Sequence, residues 1–232
     1  MSLAKFVPIN LMSQCGIGRS ASAAALLLMS GGSASAKVPN LPFDRVFPSA
    51  NEPASLHFQV VFVSNRAVHR MEIWRDRSRR VKRVTDKDIV SLATHRAGDT
   101  GYQLTILDLK RRIATQIDRT NLYRVGNFTD WFDLTHGLRH PKGAYTLSAS
   151  TAPAGMPTPV ASCAWYRLTE GPRKTSICWD ARNHVPLLIA SADHHPIWRV
   201  VQIDTKPPTA STFAMDIRGF TVNDANRDIE RD

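Results

Sequence analysis

From Leu56 onward, apolar and polar positions alternate with a period of two. That period belongs to strands with one buried face. Leu56 to Ser64 (LHFQVVFVS) is β-branched and aromatic, and Ala67 to Arg75 sets His69, Met71 and Ile73 against Arg70 and Glu72. Arg79 to Thr85, Tyr102 to Leu109 and Ile113 to Ile117 continue the pattern, with Tyr102, Leu104 and Ile106 on one face. After a gap come Ala144 to Ala149, Ser162 to Thr169, Lys174 to Asp180, Val185 to Ala190 and Trp198 to Ile203, and Phe213 to Ile217 reads as a final strand. Short turns separate these runs and no helices alternate with them. Antiparallel hairpins are expected, and a parallel βαβ sheet is disfavoured.

One segment changes period. Asn127 to Leu138 places Phe128, Trp131, Phe132, Thr135 and Leu138 at helical spacing. Asn127 is its N-cap and Gly137 its left-handed stop, with Pro141 and Gly143 beyond. The fold expected is α+β and mostly β: a curved antiparallel sheet or open half-barrel with a short helix on its concave side. Residues 37–55, with Pro39, Pro42, Pro48 and Pro53, read as an extended lead-in. Residues 56–222 read as a single domain, and 223–232 as a polar tail.

The N-terminus follows another logic. Lys5 and Arg19 precede the apolar run around Leu26 to Met29, no acidic residue occurs, and Ala34-Ser35-Ala36 closes a small-residue stretch. This is the layout of an export signal over residues 1–36, with an apolar core too short to span a bilayer. Cleavage removes Cys15 and leaves Cys163 and Cys178 in an exported chain, which suggests a disulfide. The turn around Glu170-Gly171, taken as symmetric, sets Cys163 opposite Cys178 at a separation a disulfide can bridge. The same register puts Ala164, Tyr166, Leu168, Ile177 and Trp179 on a core face. Cys163, Trp165, Arg167, Lys174 and Ser176 fall on the other.

Composition adds charge: 30 Lys+Arg against 20 Asp+Glu, a formal +10 in 232 residues. The basic residues gather between Arg66 and Lys87, and again at Lys110-Arg111-Arg112. Nucleic acid would suit such charge, but export and the lack of any nucleic-acid-binding motif argue against it. Anionic envelope components fit better; a solvated basic strand face is the alternative. Catalytic signatures are missing: no GxSxG, SxxK, P-loop or GxGxxG occurs in the mature chain. No metal site is expected, since His136 and His140 are separated by the Gly137 break and no HxH or HExxH occurs. Nothing calls for a cofactor.

The organisation resembles a known family. Ile73-Trp74-Arg75 leads into a basic turn, Tyr102 to Asp108 leads into Lys110-Arg111-Arg112, and Cys178-Trp179-Asp180 precedes Val185-Pro186-Leu187-Leu188. Together with the meander and the inserted helix, these features look like the outer-membrane lipoprotein carriers and their relatives, the LolA/LolB/RseB-like superfamily. The cysteine hairpin and the single clear helix depart from that pattern. The resemblance implies a periplasmic or secreted, non-catalytic protein that holds a lipid, a lipoprotein or another hydrophobic or anionic envelope ligand. On that reading Phe58, Val60, Leu104, Phe128, Trp131, Phe132 and Leu138 line the cavity, and Arg79, Arg80 and Arg83 meet an anionic head group. Peripheral membrane contact would accompany such a role. The alternatives are an envelope assembly or polysaccharide-associated protein working through its surface, and a hydrolase. The exported protein should begin at Lys37, read by N-terminal sequencing of periplasmic material; a retained Met1 would overturn the signal assignment.

Overall fold

A computed structural model describes residues 40–77, 79–95, 101–117 and 131–225. The proposed signal, Phe128 and the cap residue Asn127 lie outside them. The described strands are β1 (Leu56–Ser64), β2 (Ala67–Asp76), β3 (Arg80–Thr85), β4 (Ile89–His95), β5 (Tyr102–Asp108), β6 (Ile113–Ile117), β7 (Thr146–Ser150), β8 (Ala164–Glu170), β9 (Arg173–Asp180), β10 (Val185–Ala190), β11 (Pro196–Asp204) and β12 (Thr221–Asp224). They form one open sheet in the order β12-β6-β5-β4-β3-β2-β1-β11-β10-β9-β8-β7. Two meanders, β1–β6 and β7–β11, are thus joined edge to edge through β1 and β11. The result is the mostly β, open half-barrel that the alternation predicts.

Strand β4 went unassigned in the sequence. Its inward positions include Ser91, Ala93 and His95, so its buried face lacks the large apolar side chains that announce a strand. Residues 40–55 are not uniformly extended. They include a one-turn helix, α1 (Phe43–Val46), and Phe43 and Phe47 are buried in the core. Phe47 meets the Trp179 ring edge-on at 5.1 Å.

The main core lies between the concave face and helix α2 (Trp131–His136). Leu56, Phe58 and Val60 of β1, Ile73 of β2, Leu104 of β5, and Ile177 and Trp179 of β9 pack there with Phe132, Leu134 and Leu138. Gly137 ends α2 as expected, with φ +69 and its N–H donating to the Asp133 carbonyl at 2.9 Å. A Cβ there would stand 2.4 Å from the Trp198 ring, so the helix end sits directly on β11.

The convex face is covered in part as well. Phe213 to Ile217 is not a strand: Ala210–Phe213 is a 3-10 turn, and Met215, Ile217 and Phe220 pack against Val84, Val90, Leu107 and Ala114. This strap ends in β12, which pairs parallel to β6, the sheet's one parallel rung among the described strands. Cations hold it down. Lys82 Nζ donates to the Thr212 and Ala214 carbonyls at 2.7 and 3.3 Å, and the Arg80 and Arg112 guanidiniums lie 4.3 Å above the Phe213 and Phe220 rings.

Cys163 and Cys178 are bonded, with Cα atoms 5.4 Å apart. The register differs from the symmetric expectation by two residues. Glu170 pairs with Arg173 across a Gly171-Pro172 turn, so Cys178 faces Trp165. Gly171 takes φ +54 and tightens the turn. An even shift preserves which side chains share a face, so Leu168, Ile177 and Trp179 are still buried in the core. Cys163 stands just before β8, where the chain has left the ladder, and from there reaches back to Cys178. Opening the bridge in Cys163→Ser/Cys178→Ser should lower stability by about 3 kcal/mol, seen as a lower urea midpoint, with a steeper slope because the unbridged unfolded chain is less compact. A midpoint equal to that of the oxidised protein would show that the bridge constrains nothing.

Candidate functional site

Helix α2 brings the predicted apolar residues together but leaves them closed to water. Phe58, Val60, Leu104, Phe132 and Leu138 are all buried. Trp131 is half-buried, 5.2 Å from the His95 ring and 5.5 Å from Tyr102. The concave face therefore holds protein side chains at each described position proposed for a ligand.

Beneath α2 lies a polar cluster that the sequence did not reveal. Arg75 and His136 side chains are 0% exposed and Glu52 is 8% exposed. His136 Nε2 stands 2.9 Å from Glu52 Oε1, and Arg75 Nε stands 3.5 Å from Glu52 Oε2. Glu52 Oε2, Arg75 Nε and His136 Nε2 have no aligned hydrogen-bond partner; Arg75 holds Glu52 by charge, and His136 Nε2 makes a close polar contact with the other carboxylate oxygen. The rest of the guanidinium is well placed: Arg75 donates to the Asn183 carbonyl at 2.9 Å and the His184 carbonyl at 3.2 Å. His184 Nδ1 in turn meets the Pro48 carbonyl at 2.9 Å. On the far side of His136, Nδ1 lies 2.8 Å from Thr135 Oγ1 and 2.9 Å from the Phe132 carbonyl, and the imidazole stacks on Phe132 at 4.0 Å. The lead-in, β2, α2 and the β9–β10 turn all meet at this cluster.

Thr135, His136 and Glu52 stand in the order hydroxyl, imidazole, carboxylate, which is the order of a nucleophile line. Two observations close it to substrate in this conformation. Thr135 and His136 are shut off from water. The Thr135 hydroxyl also lies 2.8 Å from the Trp131 carbonyl, as a helical threonine back-bond does. His136 and His140, paired by spacing alone, serve different carboxylates. His140 Nε2 is 3.0 Å from Asp44 and its Nδ1 is 3.3 Å from Asp133. Among the described residues, no group of three metal-ligating side chains converges.

The three arginines proposed for a head group separate. Arg79 and Arg80 both pair with Asp76, at 3.4 and 2.6 Å. Arg83 turns inward, since it shares the core face with Val81 and stands between Ile73 and Ser91. Burial pulls its pKa down to about 10, opposed by Tyr102 and Asp133.

No protein family and no curated protein sequence matches the chain. Among solved structures it is similar to MucB, with 15% identity and a TM-score of 0.36 over 77% of this chain and 63% of MucB. It is also similar to PNGF-II, with 8% identity and a TM-score of 0.26 over 76% of this chain and 32% of PNGF-II. The chain spans less than two thirds of either protein. At these overlaps neither likeness assigns a family or a role to this chain.

The buried cluster couples stability to pH. Burial raises the Glu52 pKa, but His136, Arg75 and His184 outweigh it and hold the carboxyl below its ordinary 4.5. Burial, helped by Arg75, holds His136 below its ordinary 6.5 against the pull of Glu52. A depressed Glu52 stabilises the fold above its unfolded pKa, and that contribution disappears as pH falls through the folded value. A depressed His136 acts in the same direction, because below 6.5 the unfolded chain takes up a proton that the folded chain refuses. The urea midpoint should therefore fall from pH 7 to pH 5, with a shallower fall in His136→Gln. Equal slopes would mean that His136 does not titrate this way. Glu52→Gln, which strips Arg75 of its counter-charge, should cost about 3–5 kcal/mol at pH 7.

Proposed function

We propose that the protein is an exported, non-catalytic component of the cell envelope that acts through its outer surfaces. The observation carrying this reading is the sealed concave face: Phe58, Val60, Leu104, Phe132 and Leu138 are buried against one another's elements. A disulfide in a chain of this size supports an oxidising compartment. The closure of Thr135 and His136 to water supports a non-catalytic role. The basic excess, a formal +10 of which only Lys5 and Arg19 would leave with the signal, supports an anionic partner.

A second reading keeps the half-barrel as a container for an acyl chain. It is favoured by the composition of the closing helix, only six residues long, which presents Phe132 and Leu134 to an apolar sheet. On that reading α2 swings out and the ligand replaces it on Phe58, Val60 and Leu104.

The two readings part on purification from periplasmic material. The surface reading expects association with the envelope fraction that high salt releases, and no stoichiometric lipid in the mass spectrum of the purified protein. One lipid per chain, displaced by an acyl-chain probe, would overturn it in favour of the container.

A further inference from the structure

The convex face of β11, β1 and β2 carries a patch that none of the contacts above employ. Val63 and Val68 form the last outward rung but one before the Asn65-Arg66 turn, and Val68 is 71% exposed, the most exposed large apolar residue described. Asn65 and Arg66 both take positive φ, 50 and 63, as a two-residue primed turn demands, so the hairpin stays tight up to its tip. Two residues back, Val61 is flanked on both sides by arginine, with Arg70 opposite it on β2 and Arg199 opposite it on β11. Arg66, Arg70 and Arg199 are exposed, and none has an ion-pair partner among the described residues. The nearby carboxylates are engaged elsewhere. Glu72 meets His57 at 2.8 Å, and Asp86 meets His69 at 2.6 Å and the Arg70 backbone N–H at 2.8 Å.

We propose that this hairpin tip docks on the surface of an anionic lipid bilayer, with Val63 and Val68 entering the interface and Arg70 and Arg199 engaging lipid phosphates. The proposal rests on the reading that the protein works through its outer surface. Two features select a bilayer over an acidic protein. The three arginine side chains are exposed and unpaired while the two nearby carboxylates each face a histidine, so the charge available to a partner is cationic and complements an anionic sheet of head groups. The order in depth also fits: behind the short Asn65-Arg66 turn the Val63–Val68 rung comes first, and the arginine rung follows about 7 Å behind it, one side-chain repeat along a strand. That offset matches the roughly 5–10 Å between buried apolar groups and head-group level in interfacial proteins. Arg66, at the turn itself, is long enough to bend its guanidinium back to the same phosphates.

The test is co-sedimentation of the purified exported chain with vesicles. Vesicles of phosphatidylcholine with about one third phosphatidylglycerol should bind it, salt should reverse the binding, and pure phosphatidylcholine should not bind it. Arg70→Gln/Arg199→Gln should weaken binding about 30-fold, the loss expected for two arginines at an anionic surface. Val68→Asn should weaken it several-fold at low salt, where charge is unaltered. Arg182→Gln/Lys206→Gln removes the same charge from exposed positions outside the patch and should change binding by less than about 2-fold. All these positions are exposed, so urea midpoints should match the parent and exclude a folding defect. An equal loss in the two double variants would overturn the proposal, as would equal binding to neutral vesicles. If no vesicle binds while salt-sensitive envelope association persists, the lipid partner falls and the surface reading stands. A soluble complex of one lipid per chain would remove both.

Discussion

The interior of this half-barrel is organised around the buried guanidinium of Arg75. Arg75 ends an otherwise apolar core face of β2, and its guanidinium has no access to water. Such a charge cannot remain buried alone, because the lost solvation far exceeds what packing returns. Three separate segments meet the demand. Glu52 comes from the lead-in, the carbonyls of Asn183 and His184 come from the β9–β10 turn, and His136 closes on Glu52 from α2. The guanidinium thus sets where the lead-in crosses the core and how α2 lies on the sheet. The misaligned contacts around Glu52 mean that the cluster specifies geometry more than it adds stability, in keeping with buried ion pairs elsewhere.

A second consequence concerns the charge excess. Basic residues concentrated in the early hairpins look like a binding surface when read along the chain. Folded, many are spent on the protein itself. Lys82 and Arg112 tie the C-terminal strap to the convex face, Arg80 is shared between Asp76 and the Phe213 ring, and Arg83 lies inside. Among those left exposed and without an ion pair, Arg66, Arg70 and Arg199 gather around the β1–β2 tip, where valine and arginine alternate across three strands. The distinction matters physically, because a guanidinium already satisfied by a carboxylate or an aromatic face has less to gain from an external anion.

Much of the strand pattern was legible because half-buried strands leave their period in the residues. Leu56 to Ser64 and Val185 to Ala190 match β1 and β10 at both ends. The helix stop at Gly137 was legible for a similar reason, since a left-handed residue at a helix end is a local requirement. Strand β4 was not legible, because its inward face lies under α2 and carries Ser91 and Ala93 in place of bulky groups. The Phe213 to Ile217 segment misled for the opposite reason. Its apolar side chains are real, but they face the outside of another strand pair rather than a ladder of their own. The disulfide survived a register error of two residues, because an even shift leaves each side chain on its face.

Most of the strands, the faces of their side chains and the cysteine pairing were thus written in the residues, because they depend on neighbours a few positions apart or across one turn. Only the tertiary structure decided that Glu52 is an interior counter-charge, that the concave face is filled, and which arginines are free. Those outcomes rest on contacts between residues 109 positions apart, as for Arg75 and His184, or 130 apart, as for Lys82 and Thr212. No local period or propensity records such distances. They are set by where two meanders join through β1 and β11, and by a buried guanidinium that must find its partners wherever the chain brings them.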